Sequence, residues 1–151
     1  FVDHVADLIH HRSGPLPSLP IEEAVWELES VSMAAAYGIR LEGVDGEVPA
    51  VAIVLRPDAE LDLGALEVRV KRDLRPESRP VIVRVVNEIP MTAGYRALKK
   101  PLREAGVAEQ DLAAGGVWWY DRPAHKYRPL DAAALRKLPS VIGAAKRKRR
   151  S

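Results

Sequence analysis

Three short apolar segments limit the possible folds of this chain most. They lie at residues 31–41, 49–55 and 80–86, and each is bounded by turn residues, as buried strands are. Two stretches between and before them repeat apolar residues at helical spacing: Ile21, Ala24, Val25 and Leu28 in the first, Leu63, Leu66, Val70 and Leu74 in the second. The order of strands and helices predicts an α+β domain with a short sheet flanked by helices.

Hairpins are expected at both ends of this domain. The first eleven residues contain two apolar pieces around Ala6-Asp7, and residues 117–120 and 126–128 bracket a second turn. Residues 13–18 contain two prolines and a glycine, so they are predicted to form an unpaired loop.

Helix boundaries follow from capping residues. Ser18, Asp62 and Asp131 precede three expected helices as N-caps, and a further helix is expected at residues 99–105, with a short one near 109. On the second helix, four charged residues are predicted to face water: Glu67, Arg69, Lys71 and Arg72.

Composition excludes several kinds of site. The chain has 151 residues and no cysteine, which rules out disulfides, thiolate nucleophiles and cysteine-bound zinc. The four histidines lack carboxylate partners at short spacing, so we expect no metal site. No apolar run approaches the roughly 20 residues of a membrane-spanning helix and no signal peptide is evident, so a cytoplasmic protein is expected.

The net charge of +2 depends on a basic run at Lys146–Arg150, which holds five of the 23 basic residues. Elsewhere the 21 acids outnumber and interleave with the bases, so a nucleic-acid partner is not expected. We expect residues 1–138 to form the domain and residues 139–151 to form a solvated, disordered tail. Peripheral contact of the basic run with an anionic membrane is the alternative.

Six local strings, in order, resemble one known family. They are residues 1–7 (Phe-Val-Asp-His-Val-Ala-Asp), 31–39, 79–80 (Arg-Pro), 92–99 (Thr-Ala-Gly-Tyr-Arg-Ala-Leu-Lys), 119–121 and 127–131. Together they resemble the C-terminal lid domain of the adenylate-forming superfamily, within the branch of fatty-acid transport proteins and very-long-chain acyl-CoA synthetases. The resemblance runs from residue 1 to about residue 138.

The resemblance implies an enzyme of which this domain is one part. Such a fatty-acid-CoA ligase uses ATP, with Mg²⁺, to convert a fatty acid to an acyl-adenylate, and then transfers the acyl group to coenzyme A (CoA). Most of the ATP site lies in an N-terminal adenylation domain of the same protein, so the lid domain alone is not expected to be active.

The resemblance also implies catalytic and hinge residues. Arg96 stands where the family has a lysine that meets the carboxylate and the α-phosphate, and Lys99 matches a supporting lysine. Arginine keeps the charge but has a planar, forked shape, so adenylation could be weak, recruit a neighbouring lysine, or be lost. The implied nucleotide-binding hinge comprises Asp3, His4, Ala6 and Asp7, with His4 in place of an arginine.

The loop after the hinge is the implied CoA-binding segment, and its residues are His10, Arg12, Ser13 and Gly14. Arg12 replaces a lysine and is the expected contact for a CoA phosphate. His10 and His11 suit either CoA binding or a solvent-facing strand end. Because several family residues differ, a catalytically impaired homologue that binds acyl groups or nucleotides, or acts as a scaffold, is the alternative function.

Overall fold

A computed structural model of the chain describes residues 8–41, 44, 46–89, 116–122, 124–131 and 133–138. The main elements, in order, are β1 Leu8–His11, β2 Gly14–Pro17, α1 Leu19–Trp26, β3 Val31–Arg40, β4 Glu47–Leu55, α2 Leu63–Asp73, β5 Ile82–Val85, β6 Val117–Asp121 and β7 Lys126–Pro129. A 3-10 turn, Pro76–Ser78, precedes β5, and a short helix, α3, spans residues 133–138. The predicted α+β class is confirmed.

Strands β3 to β7 form one five-stranded sheet in sequence order. Neighbouring strands are antiparallel except for β4 and β5, which are parallel. α2 lies between these two strands in the chain, as a parallel pair requires a crossover connection. The three apolar segments predicted as strands correspond to β3, β4 and β5, and the predicted terminal hairpin is β6–β7.

Apolar side chains cover both faces of this sheet. One face, which we call the helix face, packs against α1 and α2 through Ala34, Ala36, Val51, Ile53 and Val83. The opposite face packs against Leu130 and Leu138 through Ala35, Tyr37, Ala50, Ile82 and Val117. Burial of both faces explains why β3 and β4 are apolar at nearly every position instead of at every second one.

The helices bury the predicted stripes. In α1 and just after it the buried residues are Ile21, Ala24, Val25 and Leu28, and in and just after α2 they are Leu66, Val70 and Leu74. Two predicted charged positions differ from expectation, because Glu67 accepts a hydrogen bond from the Tyr127 N–H at 2.7 Å and Arg69 forms a half-buried ion pair with Glu27. Lys71 and Arg72 are exposed, as predicted.

Two of the three predicted caps are confirmed. Asp62 accepts a hydrogen bond from the Ala65 N–H at 3.1 Å, and Asp131 accepts one from the Ala134 N–H at 2.8 Å. Ser18 occupies the N-cap position of α1, but its side chain makes no capping hydrogen bond. Its backbone is already helical, at φ −80° and ψ −24°, whereas a capping side chain normally requires an extended N-cap residue.

The first hairpin of the described part spans residues 8–17, while the arm predicted before Ala6-Asp7 lies outside the described residues. β1 pairs antiparallel with β2, from Leu8 opposite Pro17 to His11 opposite Gly14, so the prediction of an unpaired loop at 13–18 is wrong. Pro15 and Pro17 are two residues apart, so both missing N–H groups lie on the same side of β2. In an antiparallel pair this side can face away from the partner strand, and prolines are tolerated there on an edge strand.

Other predictions concern residues outside the described part: the helices at 99–105 and near 109, the hinge at 1–7, and the tail at 139–151. The division into a domain and a tail stays a prediction.

Candidate functional site

The turn of the first hairpin carries all four residues implied to bind CoA. His10 lies in β1, Arg12 and Ser13 form the turn, and Gly14 begins β2. His10, Arg12 and Ser13 are exposed, and Gly14 is half-buried. Gly14 has a φ of 129°, a conformation that residues with a side chain rarely adopt. The structure therefore brings the four predicted residues together at one exposed tip.

A carboxylate holds this hairpin to the main sheet. The backbone N–H of His10 donates a hydrogen bond of 2.9 Å to Oε1 of Glu47, the first residue of β4. The Glu47 side chain lies over Gly38 of β3, where an added Cβ would be 2.2 Å from the same oxygen. The absence of a side chain at position 38 is therefore what lets this carboxylate reach the hairpin.

A second glycine allows a close backbone approach at the same place. Gly46 has a φ of 69° and forms an isolated bridge with His11. A Cβ at Gly46 would lie 2.9 Å from the Arg12 nitrogen and 2.9 Å from the His10 oxygen. Both the backbone conformation and the available space therefore favour glycine here.

His11 is held in one orientation by the turn. The Ser13 N–H donates to its Nδ1 at 3.1 Å, and the Ser13 Oγ lies 2.8 Å from the same atom. Because Nδ1 accepts a backbone hydrogen bond, the neutral ring carries its proton on Nε2. Partial burial lowers the pKa of His11, and the charges of Arg12 and Arg122 lower it further, while Glu77 opposes the shift.

The charges of Arg12 and Arg79 both act on Arg122 at this end of the sheet, and we call these three residues the arginine cluster. Loss of hydration lowers the pKa of Arg122, and the positive charges of Arg12 and Arg79 add to that effect. Arg79 donates hydrogen bonds to the carbonyl oxygens of Leu74 and Lys71, at 3.0 and 3.1 Å. These bonds supply partners for carbonyl groups at the C-terminal end of α2.

Backbone pairing explains how residues so distant in sequence meet. The Val81 N–H donates to the Pro49 carbonyl at 2.8 Å, and the Tyr120 N–H donates to the Val81 carbonyl at 2.9 Å. The start of β4, the start of β5 and the end of β6 therefore share one end of the sheet, beside the tip of the first hairpin.

Among the residues that the structure describes, the arginine cluster has little local compensation. Neither Arg12 nor Arg122 makes a salt bridge with a carboxylate of the described residues. Glu77 is the nearby acid that acts on His11, and it pairs with Arg75 at 3.4 Å. Such a group of cations has the electrostatic character of an anion site.

Sequence reasoning missed Glu47 and Arg122. Glu47 precedes an apolar strand and Arg122 sits in a hairpin turn, so each has the sequence surroundings of an ordinary surface charge. Only Glu47 had a feature in the sequence that could have indicated a site: it follows Gly46 directly and precedes a predicted strand. Arg122 could be identified as a candidate site residue only from the order of the strands in the sheet.

The remaining predicted site residues lie outside the described part: Arg96, Lys99, Asp3, His4, Ala6 and Asp7. Within the described ranges, no group of three or more histidine, aspartate or glutamate side chains is arranged to hold a metal ion. No helix in those ranges combines the length and apolar character needed to cross a bilayer.

Comparison with known proteins finds one matching family model and several similar proteins. Residues 20–94 match the family described as "AMP-binding enzyme C-terminal domain". The chain is 23% identical over 130 residues to long-chain fatty acid transport protein 6 of Mus musculus, covering 86% of this chain and 21% of that protein. It is 29% identical over 103 residues to the medium/long-chain-fatty-acid–CoA ligase FadD6 of Mycobacterium tuberculosis, covering 68% of this chain and 17% of that protein. The chain thus spans about a fifth of the length of these curated relatives.

Solved structures share the fold. Apo MatB from Rhodopseudomonas palustris superposes with a TM-score of 0.60 and 21% identity, over 66% of this chain and 20% of that one. A Mycobacterium tuberculosis fatty acyl CoA synthetase gives a TM-score of 0.58 and 24% identity, over 67% of this chain and 20% of that one. The family match extends from α1 past β5, through the strands β3, β4 and β5, and over this part the chain is similar to the family of AMP-binding enzyme C-terminal domains.

Proposed function

We propose that this chain is the C-terminal domain of an ATP-dependent acyl-CoA synthetase whose acid substrate is a fatty acid. The match of residues 20–94 to the AMP-binding enzyme C-terminal domain family carries the proposal. The fatty acid is supported by relatives named as fatty acid transport proteins and as a fatty-acid–CoA ligase. The chain works with an N-terminal adenylation domain, which holds most of the ATP and acid sites.

In the first half-reaction the fatty-acid carboxylate attacks the α-phosphate of ATP and pyrophosphate leaves. Arg96 is the proposed cation between these two negatively charged groups, where it offsets their repulsion, and Lys99 supports it. Asp3, His4, Ala6 and Asp7 form the hinge near the nucleotide. Mg²⁺ bound with ATP, mainly through the other domain, neutralises phosphate charge.

In the second half-reaction the CoA thiol attacks the acyl carbonyl, a C–S bond forms, and AMP leaves as the C–O bond breaks and the thiol proton is released. The tip formed by His10, Arg12, Ser13 and Gly14 is the proposed CoA contact. It is exposed and conformationally restricted, and it projects from the sheet beside the arginine cluster.

The arginine cluster extends this proposed contact to a second guanidinium. The positive charges of Arg12 and Arg122 repel each other, and a terminal phosphate dianion bound beside them would offset that repulsion through charge-assisted hydrogen bonds. The Nε2–H of His11 adds a neutral donor beside them. We therefore assign the 3′-phosphate of CoA to Arg12 and Arg122.

The experiment that tests this function separates the two half-reactions. The complete enzyme, mixed with ATP and a panel of medium- and long-chain fatty acids, is expected to release pyrophosphate. Addition of CoA is then expected to yield AMP and the thioester in equal amounts. Absence of pyrophosphate above the no-acid control across the whole panel contradicts a synthetase function.

One feature favours a second candidate, a catalytically impaired homologue that binds acyl groups or nucleotides. Arg96 occupies the position where the resemblance implies a lysine. The substitution Arg96→Lys distinguishes the two. A large gain in pyrophosphate release from a near-zero baseline supports impairment through this one group. A loss of activity in the variant supports a synthetase adapted to arginine.

A further inference from the structure

We propose that Glu47 is a positioning residue for acyl transfer to CoA, because its carboxylate fixes the first hairpin on the helix face and thereby sets the direction of the tip. This inference rests on the proposed function, since it concerns the half-reaction assigned to that tip. Glu47 touches neither substrate in this proposal and acts through the backbone of β1.

The contact is specific in its geometry. Glu47 Oε1 accepts the His10 N–H at 2.9 Å, and His10 lies two residues before Arg12. The carboxylate reaches this N–H only across Gly38, where an added Cβ would lie 2.2 Å from Oε1, 2.8 Å from Cδ and 3.0 Å from the Glu47 Cβ. Real Cβ atoms do not approach that closely, so any side chain at 38 would displace the carboxylate.

The hairpin has few other polar ties to the main sheet. β1 and β2 form their own two-stranded sheet, and the link to β4 in the described part is the isolated bridge between His11 and Gly46. Ile9 and Leu16 anchor the base of the hairpin in the core. Apolar packing of this kind is non-directional, whereas the hydrogen bond from His10 to a carboxylate is directional and charge-assisted.

A double-mutant cycle tests the proposal in the complete enzyme, with acyl transfer started from preformed acyl-adenylate and CoA. Glu47→Ala and Gly38→Ala are each expected to slow acyl transfer roughly 10- to 100-fold, as a misplacement of about 1 Å does. In the Glu47→Ala background, Gly38→Ala is expected to add little, because the group it displaces is already gone. Full additivity of the two losses overturns the inference.

Conservative and control variants separate positioning from general stability. Glu47→Gln keeps an oxygen that can accept the His10 N–H and is expected to restore most of the transfer rate. Pyrophosphate release in the first half-reaction is expected to stay within twofold in every variant. Gly64→Ala, whose Cβ would meet Asp62 at an ordinary 3.5 Å, and exposed Glu23→Gln are the matched controls. Equal losses in both half-reactions would mean a merely structural role.

A readout without catalysis keeps this test independent of the proposed function. Amide hydrogen exchange of the His10 N–H is expected to quicken in Glu47→Ala and Gly38→Ala and to stay slow in Glu47→Gln. Unchanged exchange at His10 in Glu47→Ala overturns the inference even if the enzyme is an active synthetase. Faster exchange in an enzyme that makes no thioester confirms the contact and rejects the synthetase function, and with it the positioning role.

Discussion

The two hairpins of this domain are attached to it in different ways. β6–β7 joins the five-stranded sheet through β5, and its Tyr127 is buried, donating a hydrogen bond of 2.7 Å to the Pro80 carbonyl. β1–β2 is a separate two-stranded unit whose tip reaches the sheet through Gly46 and Glu47. The first kind of attachment stabilises the fold, and the second leaves an exposed, polar tip whose direction depends on a few contacts.

Burial of Tyr127 accounts for much of the strength of the terminal hairpin. The centre of its ring lies 4.9 Å from that of Tyr120 with the two rings tilted by 44°, and its N–H donates to Glu67. Burial raises the pKa of Tyr127 well above its usual value, and Tyr120 and Glu67 raise it further, so its hydroxyl stays protonated and donates.

The largest expected effect is therefore that of Tyr127→Ala. The substitution removes a buried ring and leaves the Pro80 carbonyl without its donor, so the free energy of unfolding should fall by about 3–5 kcal/mol. Urea denaturation measures this, with Val68→Ala as control, since Val68 is 63% exposed and its truncation should cost no more than about 0.5 kcal/mol. A loss below about 1 kcal/mol for Tyr127→Ala would mean that the two hairpins are attached alike.

Gly46→Ala should have the next largest effect, and it should be local. Its positive φ and the close approach of Arg12 and His10 predict a cost of about 1–3 kcal/mol. Amide exchange should quicken in β1 and β2 while β6 and β7 keep their protection. Gly64→Ala should instead stabilise the chain by about 0.4–1 kcal/mol, because it lies in α2 with ordinary contacts. Equal loss of protection in both hairpins would show that they unfold as one unit.

Arg122→Gln should act on binding and not on stability. Loss of a charge-assisted contact worth roughly 1.5–3 kcal/mol predicts a rise in the KM for CoA of about tenfold or more. The KM for 3′-dephospho-CoA should change less than twofold, since that substrate lacks the phosphate. Arg72→Gln, which removes an exposed ion pair with Asp73, serves as the charge-matched control. An equal rise in KM for CoA and for 3′-dephospho-CoA would show that the arginine cluster does not bind the 3′-phosphate.

The sequence predicts the body of this fold better than its first hairpin. Residues whose burial follows from periodicity, such as those of α1, α2 and β3, were located to within one or two positions. β2 was missed because prolines normally argue against a strand, and only pairing on an open edge makes Pro15 and Pro17 acceptable. The preference of proline for positions outside strands is correct for an isolated segment, but the position of β2 at an open edge allows it to pair.

Site prediction shows a similar division. The resemblance implies a CoA contact for the tip residues from His10 to Gly14, which are contiguous in sequence. Glu47 and Arg122 join them only through the order and register of β4, β5 and β6. A single sequence carries no signal for that convergence, since a charge in a turn or at a strand end is ordinarily solvated.

The smallest expected effect is a shift in the titration midpoint of His11, a residue at the tip of the first hairpin. Because its pKa is lowered in the folded protein, its proton resonances should titrate with a midpoint below 6.5. Above pH 6.5 neither the folded nor the unfolded chain holds this proton. As the pH falls from 6.5 towards the lowered pKa, the unfolded chain binds the proton first, so the free energy of unfolding should fall. Below the lowered pKa both states are protonated and this dependence should end.

CoA should reverse the shift, because a phosphate anion beside Arg12 and Arg122 favours the protonated imidazole. In an NMR titration the His11 midpoint should therefore rise when CoA is added, and rise less with 3′-dephospho-CoA. An unmoved His11 midpoint at saturating CoA would place the 3′-phosphate away from this hairpin.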